Sequence, residues 1–167
     1  NGTITASSST EFTISLNETN KTAVNLLLNK NGTTSTDISS FTLTATGNWN
    51  TSTDLEGSDN ANQVTVSGVS APTLTSAAYN AGTGILVVTG TGFKSAAGTA
   101  NDIDVTKLTI TGEGGPGSAE TLTSNTSNVE VTSTTEFTVA LGSADKAAIN
   151  AIVNLSGTQS SGGITYN

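Results

Sequence analysis

The chain has 167 residues, a formal net charge of −8 and no His, Cys, Met or Arg, its five basic residues all being Lys. Without His and Cys it lacks the commonest general base, the commonest transition-metal ligands and every thiol mechanism, and without Arg it lacks the bidentate clamp of phosphate and carboxylate sites, so an enzyme is not expected. The acidic balance repels a phosphate backbone, which argues against nucleic acid as a partner, and no apolar run reaches the roughly 18–20 residues of a membrane span.

Thr, Ser, Asn, Gly and Ala dominate, and only 11% of residues are charged. That profile suits half-buried strands with Thr/Ser outer faces joined by Gly/Asn turns. In chain order, Phe12, Ile14 and Leu16 alternate with polar residues and predict a strand. Ala23, Val24, Leu27 and Leu28 then fall on one helical stripe, predicting a helix of about three turns with Gly32 as its stop signal. Phe41, Leu43 and Ala45 form a further alternating run, followed less strictly by Val64, Val66 and Val69. Ser70-Ala71-Pro72 reads as a connector, because Pro72 cannot donate to a ladder and biases Ala71 toward extended backbone.

Beyond it, Ile85-Leu86-Val87-Val88 is a continuous apolar run of the kind found in a strand covered on both faces. Lys107–Thr111, Val129-Glu130-Val131 and Phe137, Val139, Leu141 predict three more strands. A second helix is expected from Ala148, Ile149, Ile152 and Val153, with Ser143 as N-cap, Asp145 favoured by the dipole in the first turn, and Gly157 past the end. Disorder, the default for so polar a chain, is excluded by these separate alternating runs.

The two ends of the chain carry the same sequence. The stretch from Ser8, SSTEFTISLNETNKTAVNLLLNKNGTTS, aligns without a gap to the stretch from Ser133, STTEFTVALGSADKAAINAIVNLSGTQS, and roughly half of the positions are identical. The offset of about 125 residues is the size of a domain, not of a solenoid repeat. Residues 1–70 are therefore expected to be the C-terminal part of one module and residues 71–167 the N-terminal part of the next, an internal or processed piece of an array. The expected fold class is all-β: antiparallel β-sandwich modules with one short helix per module.

From Ala71 the chain reads APTLTSAAYNAGTGILVVTGTGF, and this opening resembles bacterial immunoglobulin-like repeats of the IPT/TIG type. The following NDIDVTKLTITGEGG, the strand TEFTVAL and the helix ADKAAINAIVN are similar to longer tandem repeats of very large bacterial surface proteins, RTX-like adhesins among them. The resemblance implies an Ig-like sandwich outside a bacterial cell, acting as stalk or adhesin spacer or as a strand-exchanging fibre subunit. Its partners would be neighbouring copies of the same module. The alternative is a module that binds glycan or a host surface.

Calcium is the expected cofactor, if there is one. Asp54, Glu56 and Asp59 lie close together in a Gly/Ser/Asn-rich loop, and Asp102 and Asp104 flank Ile103 next to Asn101. Closely spaced carboxylates and carbonyls are what this ion takes, although neither cluster has EF-hand spacing and solvated turn acids look the same in sequence. Trp49, in the polar setting Gly47-Asn48-Trp49-Asn50, is the candidate sugar platform, against the commoner role of a lone Trp in a core. Lys107 would be the candidate for a Lys–Asn isopeptide bond, against an ordinary exposed lysine. Asn-x-Ser/Thr sequons occur at Asn1, Asn17, Asn20, Asn31, Asn50, Asn125 and Asn154, as chance allows in such a composition. The Gly112–Gly117 stretch is no phosphate loop, having neither a Lys-Ser/Thr nor a helix after it, and predicts a hairpin tip.

Overall fold

The computed structural model describes residues 3–50, 57–114 and 118–167. It is mostly strand, in several antiparallel sheets, with two α-helices. The chain divides into two compact units, Asn1–Ala71 and Pro72–Asn167.

The second unit contains the hydrophobic core. Strands β5 (Thr73–Asn80) and β6 (Ile85–Thr91) form a hairpin, and β9 (Glu136–Ala140) pairs with the other edge of β6. A shorter hairpin joins β7 (Thr109–Thr111) to β8 (Ala119–Thr121), and helix α2 (Ser143–Ile152) packs against β8. Being paired on both edges, β6 presents Leu86 and Val88 to the core, opposite Val139 and Phe137 of β9. These residues close on Phe93, Val105, Leu122, Val131, Ile149 and Ile152, and the Phe93 and Phe137 rings meet edge-on at 5.3 Å. Gly90 is small for a steric reason: a Cβ there would lie 2.2 Å from the Thr73 carbonyl and 2.6 Å from the Phe93 ring.

The first unit has two separate hairpins. One pairs β1 (Thr3–Ala6) with β2 (Phe12–Ser15), the other β3 (Thr42–Ala45) with β4 (Asp59–Gln63), and helix α1 spans Glu18–Leu27. Phe41 is the one buried apolar side chain among its described residues.

The likeness of the two ends extends to backbone geometry. Helices α1 and α2 start and stop at equivalent positions of the alignment. The isolated bridge Thr34↔Ser40 recurs as Gln159↔Thr165, and the Ser35 N–H to Ser39 carbonyl bond recurs between Ser160 and Ile164. Phe41 donates to the Thr33 carbonyl as Tyr166 does to that of Thr158. Gly32 and Gly157 hold φ of +106° and +119° within the loops that follow the helices. They are not the helix stops read from sequence: Leu28 and Val153 are the C-caps, each returning an N–H to Val24 or Ile149.

Several predicted strands are shorter or absent. Val66 makes only a bridge to Gly32, Val129 only one to Ile103, and Lys107 closes a 3₁₀ turn, Val105–Lys107, ahead of β7. In each case the local alternation is right and the missing element is a continuous partner strand.

The recurring turn also contains a mismatch. Ile38 adopts φ +65° where the second copy has Gly163 at φ +81°, and both donate to the matching serine carbonyl, Ser35 or Ser160. A β-branched residue is strained in that region, and Ile38 is 83% exposed, so its side chain returns little by burial. Ile38→Gly is expected to stabilise the first unit by about 0.5–1 kcal/mol, and Gly163→Ile to destabilise the second by at least as much. Urea denaturation read by amide NMR, which reports on each unit, checks both.

Candidate functional site

The two similar ends of the chain differ most in what covers their matching side chains. Phe137 and Val139 of β9 are 4% and 0% exposed, whereas Phe12 and Ile14 of β2, at the same repeat positions, are 48% and 50% exposed. On the helices, Ile149 and Ile152 are buried, whereas Val24 is half-buried and Leu27 exposed. Of the large exposed apolar residues, all but Leu74 and Leu155 lie in the first unit. Trp49 is one of them: it is 54% exposed, outside the hydrophobic core, with its ring 6.3 Å from that of Phe12.

Helix capping shows the same contrast. Helix α1 is capped locally, Asn17 accepting from the Asn20 N–H at 2.9 Å. In α2 the N-cap is Gly142, not Ser143, and it has no side chain to cap with. The segment 123–126 does that work instead: Asn125 Oδ1 accepts from the Ala144 N–H at 3.0 Å, and Thr126 Oγ1 from the Gly142 N–H at 3.0 Å. Glycine is required at the cap because a Cβ would lie 2.1 Å from the Asn125 carbonyl oxygen.

One turn along, Asp145 is 4% exposed and accepts from the Thr123 N–H, the Thr123 hydroxyl and the Thr126 hydroxyl at 3.0, 2.7 and 2.6 Å. Burial alone would raise its pKa, but the Thr126 and Thr123 hydrogen bonds together outweigh it and hold the carboxyl below the usual aspartate range. Sequence placed Asp145 in the first turn for the dipole; its role as a tertiary clamp needed the neighbouring loop. On the other side of α2, Tyr79 donates to Asn150 Oδ1 at 2.8 Å, Asn150 donates to the Ala81 carbonyl at 3.3 Å, and Lys146 Nζ donates to the Gly82 carbonyl at 2.7 Å.

Of the candidate calcium ligands, Asp54 and Glu56 lie outside the described residues, and Asp59 is exposed on β4, opposite Ala45. Asp104 caps the Val105–Lys107 turn, accepting from the Thr106 N–H at 3.1 Å and hydroxyl at 2.6 Å, bonds that lower its pKa. Asn101 and Asp102 each bury one Oδ1 without a partner, two oxygens of the kind calcium takes. Among the described residues no group of three or more His, Cys, Asp or Glu could hold a metal.

Lys107 is exposed, which leaves it without the burial an isopeptide bond requires. Several sequon asparagines have structural partners: Asn31 exchanges two 2.9 Å hydrogen bonds with the Val69 backbone, Asn17 and Asn125 cap helices, and Asn154 accepts from the Ser161 N–H. Residues 115–117 of the predicted hairpin tip lie outside the described residues. No described helix is long and apolar enough to cross a membrane. No family model, curated protein or solved structure matches the chain.

Removing the Asp145 charge should cost the second unit about 1–3 kcal/mol, because Thr123 and Thr126 lose an ionised acceptor in a buried place. A carboxyl with a depressed folded pKa stabilises fully above the aspartate range and loses that contribution as pH falls through it. The second unit should therefore weaken from about pH 5 downward. Asp145→Asn should flatten that profile, leaving the contributions of Asp104 and Glu113, whose pKa values are also lowered. Urea midpoints of both proteins across the acid range test it.

Proposed function

We propose that the chain is a structural repeat of an extracellular bacterial surface protein or filament, built from Ig-like β-sandwich modules that act mechanically and not chemically. The observation that carries this reading is the domain-sized internal repeat, whose matched turns and helices share hydrogen bonds position by position. Its Thr-rich strand faces and acidic balance would keep closely spaced copies from adhering to one another. The orphan oxygens of Asn101 and Asp102 support calcium as a stiffening ion of such a module.

The test is the intact mass of the native material after boiling in denaturant and reductant. A species many times 16.6 kDa is expected for a stalk or adhesin, and a band near 16.6 kDa would leave only the non-covalent fibre. Solubility of the native protein as a monomer of that mass would overturn both.

A second reading is favoured by one observation, the exposed Trp49 ring beside Phe12. An aromatic pair at a surface is a platform for a sugar face, which makes a glycan-binding module the alternative. Binding on a glycan array that is lost in Trp49→Ala would establish it, and silence across a broad array would remove it.

A further inference from the structure

Among the described residues strand β2 has one neighbour, β1, and the edge it leaves open is the edge that β9 gives to β6. The assignment follows from ladder parity. The Glu11 carbonyl accepts from the Ser7 N–H at 3.1 Å, continuing the register Ala6↔Phe12, so Glu11, Thr13 and Ser15 turn their backbone groups toward β1. Thr10, Phe12, Ile14 and Leu16 therefore turn theirs the other way. In the second unit the equivalents of Thr10 and Leu16 bond toward β6: the Thr135 carbonyl accepts from Gly90 at 2.8 Å, and the Leu141 N–H donates to Gly84 at 2.9 Å.

The side chains agree with the backbone. Phe12, Ile14, Val24 and Leu27 repeat the apolar positions that β6 and its neighbours cover in the second unit. Lys21 and Asn25 repeat Lys146 and Asn150, which bind the β5–β6 turn through the Gly82 and Ala81 carbonyls. In the first unit the Lys21 ammonium meets the Glu18 carboxylate of its own helix, at 3.7 Å on an exposed face, a contact of little consequence.

We infer that the open edge of β2, with the apolar stripe of α1, is the seat for the leading half of another copy of the repeat, a segment with the sequence of residues 72–125. Its β6 would add to β2 as an extra strand, with main-chain bonds giving affinity and the Phe12 and Ile14 positions giving register. That register is fixed by the second unit: Thr13 opposite Val87, Ile14 opposite Leu86, and Phe12 opposite Val88 of the incoming segment. Lys21 and Asn25 would then grip its β5–β6 turn. The segment's last loop must sit farther out than in the second unit, because Asn17 carries a Cβ where Gly142 has none. The inference deepens the structural-repeat reading and rests on it for the identity of the occupant.

The test splices a second copy of residues 72–125 ahead of Asn1, with Thr13→Cys in the original chain and Val87→Cys in the added copy alone. The native sequence has no cysteine, so any intramolecular disulfide reports this pair. The pair occupies a non-hydrogen-bonded position of the ladder, where Cα atoms lie about 4.5 Å apart and a disulfide can close. Rapid intramolecular oxidation is expected, with amide exchange at Phe12, Ile14 and Leu16 slowed at least tenfold relative to the unextended chain. Lys21→Ala should destabilise the extended protein and leave the unextended one unchanged.

A second spliced protein with Asn17→Gly relieves the crowded cap, and β9 and α2 of the original second unit report that each protein has folded. If β2 exchanges as fast as before in both spliced proteins, or oxidation links Thr13→Cys equally well to a cysteine placed at Leu86, the inference is overturned. It is equally overturned if the unextended chain protects β2 by dimerising, which would make an intact second copy the occupant. The structural-repeat reading would survive any of these results, since intact mass decides it separately.

Discussion

The difference in burial between the two halves of this protein rests on the pairing of β6 on both of its edges. A strand bonded on one side only leaves a row of N–H and C=O groups to water and a face with nothing to pack on. Inserted between β5 and β9, β6 satisfies both rows and brings Leu86 and Val88 over Phe137 and Val139. Ile149 and Ile152 of α2 then have a surface to cover. The first unit has a related strand and helix but no counterpart of β6 among its described residues, and Phe12, Ile14 and Leu27 stay exposed.

Polar side chains follow the same logic. A helix end must find acceptors for its free N–H groups, and it takes them from its own chain when no neighbour is near. Helix α1 uses Asn17 in that way, whereas α2 has given up a capping side chain for Gly142 and draws on Asn125 and Thr126. The exchange lets the loop approach closely enough for Asp145 to bind both threonines, which joins the helix to the segment that precedes β9. A buried carboxylate would be a liability without those donors; with three of them it fixes the register of helix against loop.

Much of this was legible in the sequence. The alternation at Phe12–Leu16 and Phe137–Leu141, the apolar run at Ile85–Val88 and the helical stripes fall in the elements they predicted or within one residue of their ends, because side-chain periodicity is a local property of the backbone. Details of capping were not legible. Ser143 has the chemistry of an N-cap, yet the cap is a glycine whose partners lie in the loop 123–126, and no local pattern signals a hydrogen bond across that separation. Nor could the sequence show that Asp104 caps the turn that follows it, accepting from the Thr106 N–H and hydroxyl. Trp49 could be weighed as core or as platform, and only the fold placed it at the surface.

The sequence by itself determined where most of the elements lie, the likeness of its two ends and the lack of any histidine, cysteine or arginine side chain, since all three depend on residue identity and spacing along the chain. It could not determine whether FTIS and FTVA, nearly the same words, would be exposed or buried. That was decided by tertiary structure, because burial belongs to a pair of surfaces, and β6 meets only one of the two strands that carry its complement.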